Sequence, residues 1–254
     1  MTVYIRDSEF PIEVSVNKYN VQVGFYLRGE EIVLYQSIHE IPALFKDDIL
    51  IDYIYETRAI LELMGIKIDE TDYPTELEPF FGRKIRTGVL GEIVNNPDNW
   101  GSFIKPKQGS KTFTGRLVNG TQDLVGIGLP FDYPVWISEG IDFKREWRTF
   151  VLNREVLDVR PYKGDYHYQY DAKVIDQAIS AWSNSPIAYS LDIGVTADHR
   201  TLVVEVNDGY ALGNYGLSPA LAAQFFEARW HELTAPFFAS HEKLIIPEER
   251  WKDI

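Results

Sequence analysis

The sequence predicts an α+β protein, and three observations support this class. Two pairs of strand-like segments, EWRTFVLN with EVLDVR and AYSLDIGV with TLVVEVND, are each joined by a short polar turn, as in antiparallel hairpins. Helix-like segments stand apart from these hairpins at 171–185 and at 218–240. The stretch from residue 1 to about 70 mixes strand and helix patterns, which predicts a smaller α/β unit at the N-terminus.

Composition excludes several classes of protein. The chain has 254 residues, 45% of them hydrophobic, so it can bury a sizeable core. Its net charge of −13 argues against a nucleic-acid surface, and the lack of cysteine excludes disulfides and thiolate nucleophiles. MTVYIRDSEF lacks the apolar core of a signal peptide, and no apolar run is long enough for a membrane span. We therefore expect a cytoplasmic protein that binds neither nucleic acid nor membrane.

The N-terminal unit is predicted from three strand candidates followed by a helix. TVYIRD, VQVGFYLRG and EIVLYQS have the apolar and β-branched residues typical of strands. The segment from Asp52 to Met64 is amphipathic, and Gly65 follows it as a helix stop. The acidic, proline-bearing DETDYPTELEP at 69–79 is interpreted as a linker to the rest of the chain.

Basic residues are concentrated in the segment that follows. PFFGRKIRTGVLGEIVNN is predicted to be helical in part and carries Arg83, Lys84 and Arg86. Any one of these three could reach a phosphate across a cleft, although a solvated helix face explains each of them singly. The sequence alone leaves open which of them does so.

SFIKPKQGSKTFTGRLV is predicted to form a strand, a turn and a second strand. Lys105 ends the first strand, and Lys107, Gly109, Ser110 and Lys111 lie in the connection. Backbone N–H groups and ammonium groups in such a connection could close over a polyphosphate. No helix follows, so this is not a P-loop, and a hairpin with an ordinary lysine-rich turn is the alternative.

The next hairpin carries two arginines. After the strand VWISE come EWRTFVLN and EVLDVR, with a turn at Asn153-Arg154. Arg148 and Arg160 lie on these strands, where guanidinium groups suit recognition of phosphate or carboxylate. Cross-strand ion pairs with a nearby Glu146 or Asp158 are the alternative. The aromatic YKGDYHYQY that follows is a candidate lid or substrate wall.

The hairpin formed by AYSLDIGV and TLVVEVND is the most informative stretch. Glu205 and Asn207 are two apart in one strand, so both side chains leave the same face, and the turn can bring Asp192 beside them. Two carboxylates and an amide oxygen are the donor set that Mg²⁺ prefers. Solvated strand ends are the simpler explanation for each acidic residue singly, but the apolar run LVVEVN favours a paired or metal-bound carboxylate.

These motifs, taken in order, resemble the ATP-grasp superfamily. FIKP, KTFTG, SEGIDFKREWR, AYSLDIGV, VEVND and YALGNYGL carry the resemblance over roughly residues 70–235, and it is closest to a bacterial and phage clade related to RimK-like ligases. The resemblance implies two α+β lobes gripping a nucleotide, behind a short N-terminal α/β unit. It implies residues 1–72 for that unit and 73–254 for the ATP-grasp domain, divided into lobes at 73–137 and 138–254.

The resemblance also implies roles for particular residues, with ATP and Mg²⁺ as the cofactors. Lys105 would contact the α- and β-phosphates, and Lys111 would cover the β- and γ-phosphates. Arg148 matches the arginine of a D-x-R element, with Glu146 in place of the aspartate, and Arg160 lies near a second arginine that steadies the transferred phosphate. The nucleotide base and ribose would be held by Ser138, Glu139, Ile141 and Asp142. The magnesium ligands would be Asp192, Glu205 and Asn207.

The implied activity is an ATP- and Mg-dependent carboxylate-amine ligase that acts through an acylphosphate on small-molecule or peptide substrates. Kinase-like phosphoryl transfer and a non-catalytic ATP-binding module remain as alternatives. A purely structural protein would leave Lys105, Arg148 and Glu205 paired with one another. The sequence identifies neither the acid, the amine nor the oligomeric state.

Overall fold

The computed structural model describes residues 1–7, 12–69, 71–108 and 112–247, with only the backbone described for 12–16. Within these ranges the strands are β1 (Thr2–Arg6), β2 (Glu31–Tyr35), β3 (Ala43–Phe45), β4 (Ile49–Ile51), β5 (Ile85–Val89), β6 (Ser102–Pro106), β7 (Arg116–Val118), β8 (Pro134–Glu139), β9 (Phe143–Leu152), β10 (Glu155–Gly164), β11 (Ala188–Thr196), β12 (Thr201–Asp208) and β13 (Lys243–Ile245). The helices are α1 (Ile12–Leu27), α2 (Ile54–Leu63), α3 (Glu78–Phe81), α4 (Gly91–Val94), α5 (Ala172–Ala181) and α6 (Pro219–Phe238).

The N-terminal unit is a parallel sheet of three strands in the order β2-β1-β4, with α1 connecting β1 to β2. The predicted strand VQVGFYLRG is wrong, because most of that segment is the second half of α1. Val21 and Phe25 are buried four residues apart, as one face of a helix requires. The run of β-branched and aromatic residues therefore reflects burial against a neighbour and not strand geometry. That neighbour is α6, and Gly24 lets the two helices approach so closely that a Cβ would lie 2.0 Å from the Pro219 oxygen.

Two antiparallel sheets of four strands each make up the rest of the fold, in the orders β5-β8-β6-β7 and β10-β9-β11-β12. Three strand pairs predicted from sequence are present: β6 with β7, β9 with β10, and β11 with β12. The turn between β9 and β10 places Asn153 and Arg154 at φ of 52° and 66°, the backbone of a tight hairpin turn. The segment predicted as partly helical contains α3 and α4, with strand β5 between them.

A shared core joins the N-terminal unit to the second of these sheets. Phe150 of β9 packs edge-on against Phe225 of α6, and Trp230 of α6 donates to the Asp48 oxygen at 2.8 Å. The opposite sheet face packs on α5, through side chains such as Trp147 and Ile175. Because side chains alternate along β9, the face that buries Phe150 continues as Arg148 and Glu146. A polar site is thus built on the continuation of a core face.

The ends of the domains and of the chain complete the description. β8 pairs with β5 and β6 and crosses the predicted lobe boundary at 137/138, and the domain bounds stay a prediction. The predicted closing strand near the C-terminus is β13, paired with β3, while 248–254 lie outside the described residues. In the part of the chain that the structure describes, no helix has the length and apolar character needed to cross a membrane.

Candidate active site

One row of charged side chains crosses the four-stranded sheet β10-β9-β11-β12. The strand registers pair Arg160 with Arg148, Arg148 with Asp192, and Asp192 with Glu205. Directly paired residues point to the same face of a sheet, so all four side chains lie on one face. Two arginines are therefore neighbours and two carboxylates are neighbours, an arrangement that is destabilising unless something else lies among them.

Arg148 and Asp192 form the buried centre of the row. Arg148 Nε and Nη2 donate to the two Asp192 carboxylate oxygens at 2.8 and 2.7 Å, a bidentate pair. The exposed fraction of the side chain is only 9% for Arg148 and 2% for Asp192. Burial therefore removes both groups from water, and a pair so placed requires good hydrogen bonding to offset the lost hydration.

Lys105 reaches the end of this row from the other antiparallel sheet. Its Nζ donates to Glu205 Oε2 at 2.6 Å and lies 3.2 Å from the Asp72 carboxylate. The same ammonium group lies 4.9 Å from the centre of the Tyr73 ring. Lys105 on β6 and Glu205 on β12 thus face each other across the cleft between the two sheets.

The electrostatics of the row follow from burial and from these pairs. Burial acts to lower the pKa of Lys105 and of Arg148, but the neighbouring Glu205 and Asp192 carboxylates outweigh it and hold both values above the usual range. Burial acts to raise the pKa of Glu205, and Lys105 outweighs it, so that pKa is lowered. Burial raises the pKa of Asp192 against the opposing effect of Arg148, and the Glu205 carboxylate adds to the rise.

The predicted magnesium ligands come together on this face. Asn207 Nδ2 lies 3.5 Å from Asp192 Oδ2 and 3.4 Å from Glu205 Oε1, and a half-turn of the amide presents its oxygen instead. No group of three or more His, Cys, Asp and Glu suited to a metal occurs among the described residues. The set of two carboxylates and one amide nevertheless fits a hard cation in donor chemistry, and such a cation would relieve the repulsion between adjacent carboxylates.

Arg160 and two tyrosines border the other end of the row. Arg160 Nη2 donates to the Gly216 oxygen at 2.6 Å, and its Nε lies 3.0 Å from Asp158 Oδ2, the ion pair considered as an alternative. Tyr162 and Tyr215 stack with ring centres 5.0 Å apart. The Tyr215 ring centre also lies 5.0 Å from the Arg148 guanidinium, so the pair forms an aromatic wall beside both arginines.

Glu146 lies on the same face but does not pair with Arg148. It accepts from Tyr162 Oη at 2.8 Å and from Lys163 Nζ at 2.6 Å. The cross-strand ion pair with Arg148 considered as an alternative is therefore not formed. Burial raises the pKa of Tyr162, and the nearby Asp192 and Glu146 carboxylates add to this effect, so its hydroxyl remains a donor at neutral pH.

The predicted base- and ribose-binding residues lie at the end of β8 and just beyond it. Ser138 is buried, and Glu139 accepts from the backbone N–H of Lys84 at 3.1 Å, which ties β8 to the segment before β5. Ile141 follows in the connection to β9, and Asp142 is exposed and forms an ion pair with Lys144. These nucleotide roles stay a prediction, and Lys111, predicted to cover the phosphates, lies outside the described residues.

The structure separates the three basic residues that the sequence left open. Arg83 donates to the backbone oxygens of Val203 and Val204 at 3.0 and 2.6 Å, next to Glu205. Arg86 pairs with Glu92 at 2.7 Å. Registers place Lys105 opposite Trp136 and Arg86 opposite Ile137, hence on the other face of the sheet. Arg83 alone of the three contacts the strand that carries Glu205.

Several residues of the site were not found from the sequence. Asp72 and Tyr73 lie in the segment interpreted as a linker, yet Asp72 pairs with Lys105, and its oxygen accepts from the Val206 N–H at 3.0 Å. Nothing in DETDYPTELEP distinguishes the one carboxylate that meets a lysine 33 residues later. Tyr215 was likewise missed, although its stacking partner Tyr162 belongs to the aromatic segment that was singled out.

Two antiparallel sheets that close on a cleft lined by lysine, arginine and paired carboxylates define the class of ATP-grasp proteins. The model of one ATP-grasp domain family, the second family of its clade, matches residues 80–225, more than half of the chain. The chain belongs to this family. The resemblance and the α+β fold class predicted from sequence are both confirmed.

Solved structures agree on the fold. D-cycloserine synthetase DcsG is similar over 92% of this chain and 100% of its own, with a TM-score of 0.61 and 10% identity. A RimK domain ATP-grasp protein from Sphaerobacter thermophilus covers 94% and 100%, with a TM-score of 0.53 and 15% identity. The ATP-grasp ligase PsnB, solved with a phosphomimetic variant of its minimal precursor, Mg and ADP, covers 93% and 97%, at 0.51 and 14%. No curated protein matches the chain.

Proposed function

We propose that this chain is an ATP- and Mg-dependent ligase that joins a carboxylate to an amine through an acylphosphate. The observation that carries the proposal is the row Arg160, Arg148, Asp192 and Glu205, met at its end by Lys105. A row of this kind places cationic donors and carboxylate oxygens side by side on one face. Those are the two groups that a triphosphate and its cation require.

The chain's own cations supply the charge that phosphoryl transfer needs. Lys105 and Arg148 exchange their carboxylate partners for phosphate oxygens when the nucleotide enters the cleft. Arg160, one strand further along, then faces the transferred phosphoryl group. Because a guanidinium or ammonium group in a water-poor site stabilises developing charge strongly, removal of one such donor costs on the order of a hundredfold in turnover.

Asp192, Glu205 and Asn207 are the residues that would hold Mg²⁺. Bound there, the ion would bridge phosphate oxygens and neutralise charge that develops on them. The two carboxylates also keep Lys105 and Arg148 protonated, as the raised pKa of each cation indicates. The cleft is therefore set for anionic ligands before any nucleotide arrives.

The second half-reaction needs protection from water. An acylphosphate is hydrolysed unless an amine reaches it first, so the walls of the cleft must exclude solvent. The stacked Tyr162 and Tyr215 form one such wall beside the arginines. The connection between β6 and β7, which carries the predicted phosphate lysine, would form the other.

The substrate class is proposed from the neighbours and from charge. Printed descriptions of the similar structures name a synthetase, DcsG, and a ligase that is complexed with its precursor, PsnB. Both are consistent with small-molecule or peptide substrates for this chain. The net charge of −13 favours a neutral or basic amine substrate, because an acidic surface attracts such ligands by electrostatic steering.

A coupled ADP-release screen of amino acids and peptides tests the proposal, with Glu205→Gln as the matched blank. We expect ADP release that requires both an acid and an amine, requires Mg²⁺, and disappears in the variant. ADP release with a stable phosphorylated product would instead establish a kinase. Nucleotide binding without turnover would establish a binding module, and thermal stability unaltered by Mg-ATP would establish that the row is purely structural.

A further inference from the structure

The loop that follows β12 holds both arginines of the row through its backbone. Arg148 Nη1 donates to the Gly213 oxygen at 3.1 Å, and Arg160 Nη2 donates to the Gly216 oxygen at 2.6 Å. Each guanidinium is thus positioned by one carboxylate and one loop carbonyl. Loop 213–217 therefore determines where the two arginine head groups lie relative to each other.

This loop is itself fixed to helix α1 of the N-terminal unit. The Asn214 N–H donates to Asn17 Oδ1 at 2.8 Å, and Asn214 Nδ2 donates to the Asn17 backbone oxygen at 2.9 Å. Asn214 Oδ1 accepts from the Gly216 N–H at 3.2 Å, and the Asn214 oxygen accepts from the Leu217 N–H at 2.8 Å. Asn214 is completely buried, so a side chain without these groups would leave buried polar atoms unpaired.

The backbone of the loop is strained where it meets the arginines. Tyr215 has φ of +43°, a conformation that a non-glycine residue adopts only when its surroundings impose it. Stacking on Tyr162 and the contact with Arg148 hold its ring, while Asn214 holds the backbone on the preceding residue. Such strain is typical of loops that position functional groups.

We propose that Asn17 and Asn214 are positioning residues of the phosphoryl-transfer site. They hold the Gly213 and Gly216 carbonyls where these orient Arg148 and Arg160, and they make that orientation depend on the seating of α1. This proposal rests on the proposed function for its effect on turnover. Its structural part, that α1 fixes the two guanidinium groups, stands without it.

Three variants of α1 test the proposal. Asn17→Ala removes the acceptor for the Asn214 N–H, whereas Asn17→Asp keeps an oxygen in its place and should restore the contact. Arg28→Ala is the matched control, because Arg28 also joins α1 to α6, through Glu227 at 2.6 Å, but does not contact the loop. Asn17 lies on one side of the hydrogen-bonded pair, so its truncation is milder than any change at buried Asn214.

Two readouts separate positioning from simple loss of stability. In ¹⁵N-labelled protein, Asn17→Ala should speed solvent exchange of the Arg148 Nε–H several-fold, and neither Asn17→Asp nor Arg28→Ala should do so. In ADP release, Asn17→Ala should lower kcat on the order of tenfold with the KM for ATP within about twofold, because small misplacements weaken the transition state most.

Either of two results would overturn the proposal: an Arg148 exchange rate unchanged by Asn17→Ala, or an equal loss of kcat in Arg28→Ala. Failure of Asn17→Asp to restore exchange would also count against it. If the native chain releases no ADP with any substrate, the proposed function fails, but the exchange comparison still decides whether α1 positions the arginine.

Discussion

The molecule contains two buried, bidentate Arg–Asp pairs that differ only in what surrounds them. Arg148 holds Asp192 at 2.8 and 2.7 Å, and Arg229 of α6 holds Asp208 of β12 at 2.7 and 2.5 Å. The exposed fractions of the two arginine side chains are 9% and 10%. By distance and burial the two pairs are equivalent.

Their neighbours are not equivalent. Arg229 has a second acid, Glu232, at 2.5 Å, so opposite charges alternate and the cluster is complete in itself. Arg148 instead has another arginine across the strand on one side, and Asp192 has another carboxylate on the other. Like charges placed together reduce stability, so an ion pair in such a row is better explained by a ligand of matching charge. The lesson is that neighbours, and not pair geometry, distinguish a site from a staple.

The largest effect that this comparison predicts is for Arg148→Ala. The variant should lose on the order of a hundredfold or more in turnover because a phosphate-stabilising donor is gone. It should also lose about 3–5 kcal/mol of unfolding free energy because Asp192 is left buried without its partner. Initial-rate assays and denaturant unfolding of the same preparation measure both. Turnover within twofold of the native chain would remove Arg148 from the mechanism.

Arg229→Ala provides the matched comparison. Its unfolding free energy should fall by about the same 3–5 kcal/mol, since Asp208 is then left half-buried and unpaired. Turnover per folded molecule should stay unchanged, because the pair lies between β12 and α6. Rates are measured at a temperature where unfolding curves show the variant to be fully folded. A hundredfold loss there would mean that the two pairs do not differ in role.

Ligand binding should sharpen the same contrast. Mg-ATP at a hundred times its Kd should raise the unfolding free energy by about 2.7 kcal/mol, and chelation of Mg²⁺ should reverse the gain. Glu205→Gln should abolish the gain, and Arg229→Ala should retain it on its lower baseline. Thermal unfolding with and without Mg-ATP measures this. An equal gain in the Glu205 variant would place the cation elsewhere.

The smallest expected effect is on acid stability. Lys105 keeps the pKa of Glu205 below its usual value, so Glu205 contributes stability that is present above the unfolded-state pKa of about 4.3. That contribution is lost as the pH falls through the lower folded-state pKa. The difference in unfolding free energy between the native chain and Glu205→Gln should therefore shrink between pH 5 and more acidic values of about 3. A difference that grows on acidification would contradict the Lys105–Glu205 pair.

Sequence could predict the parts of this fold and site that depend on neighbouring residues. The β11–β12 hairpin places Asp192 opposite Glu205 because the turn sets the register, and alternation puts Asn207 on the same face. The meeting of Lys105 with Glu205, 100 residues apart, depends on tertiary packing and came only from the resemblance. Asp72, Tyr215 and the Asn17–Asn214 contact stayed hidden for the same reason: no local pattern marks a long-range partner.

The error in the N-terminal unit has a related cause. Val21 and Phe25 belong to a helix that is apolar because α6 covers it, and a short apolar run does not distinguish a buried helix from a strand. The position of that helix matters for the site, since α1 carries Asn17. Local pattern was therefore least informative where the N-terminal unit meets the catalytic row.

The central claim is that a divalent cation and a triphosphate lie on the row between Lys105 and Arg160. A crystal structure with Mn²⁺ and a non-hydrolysable ATP analogue tests it most directly. We predict an anomalous peak coordinated by oxygens of Asp192, Glu205 and Asn207, with Lys105 and Arg148 turned to the phosphates. A nucleotide bound elsewhere, or a row whose ion pairs remain closed at saturating Mn²⁺ and analogue, would contradict the account.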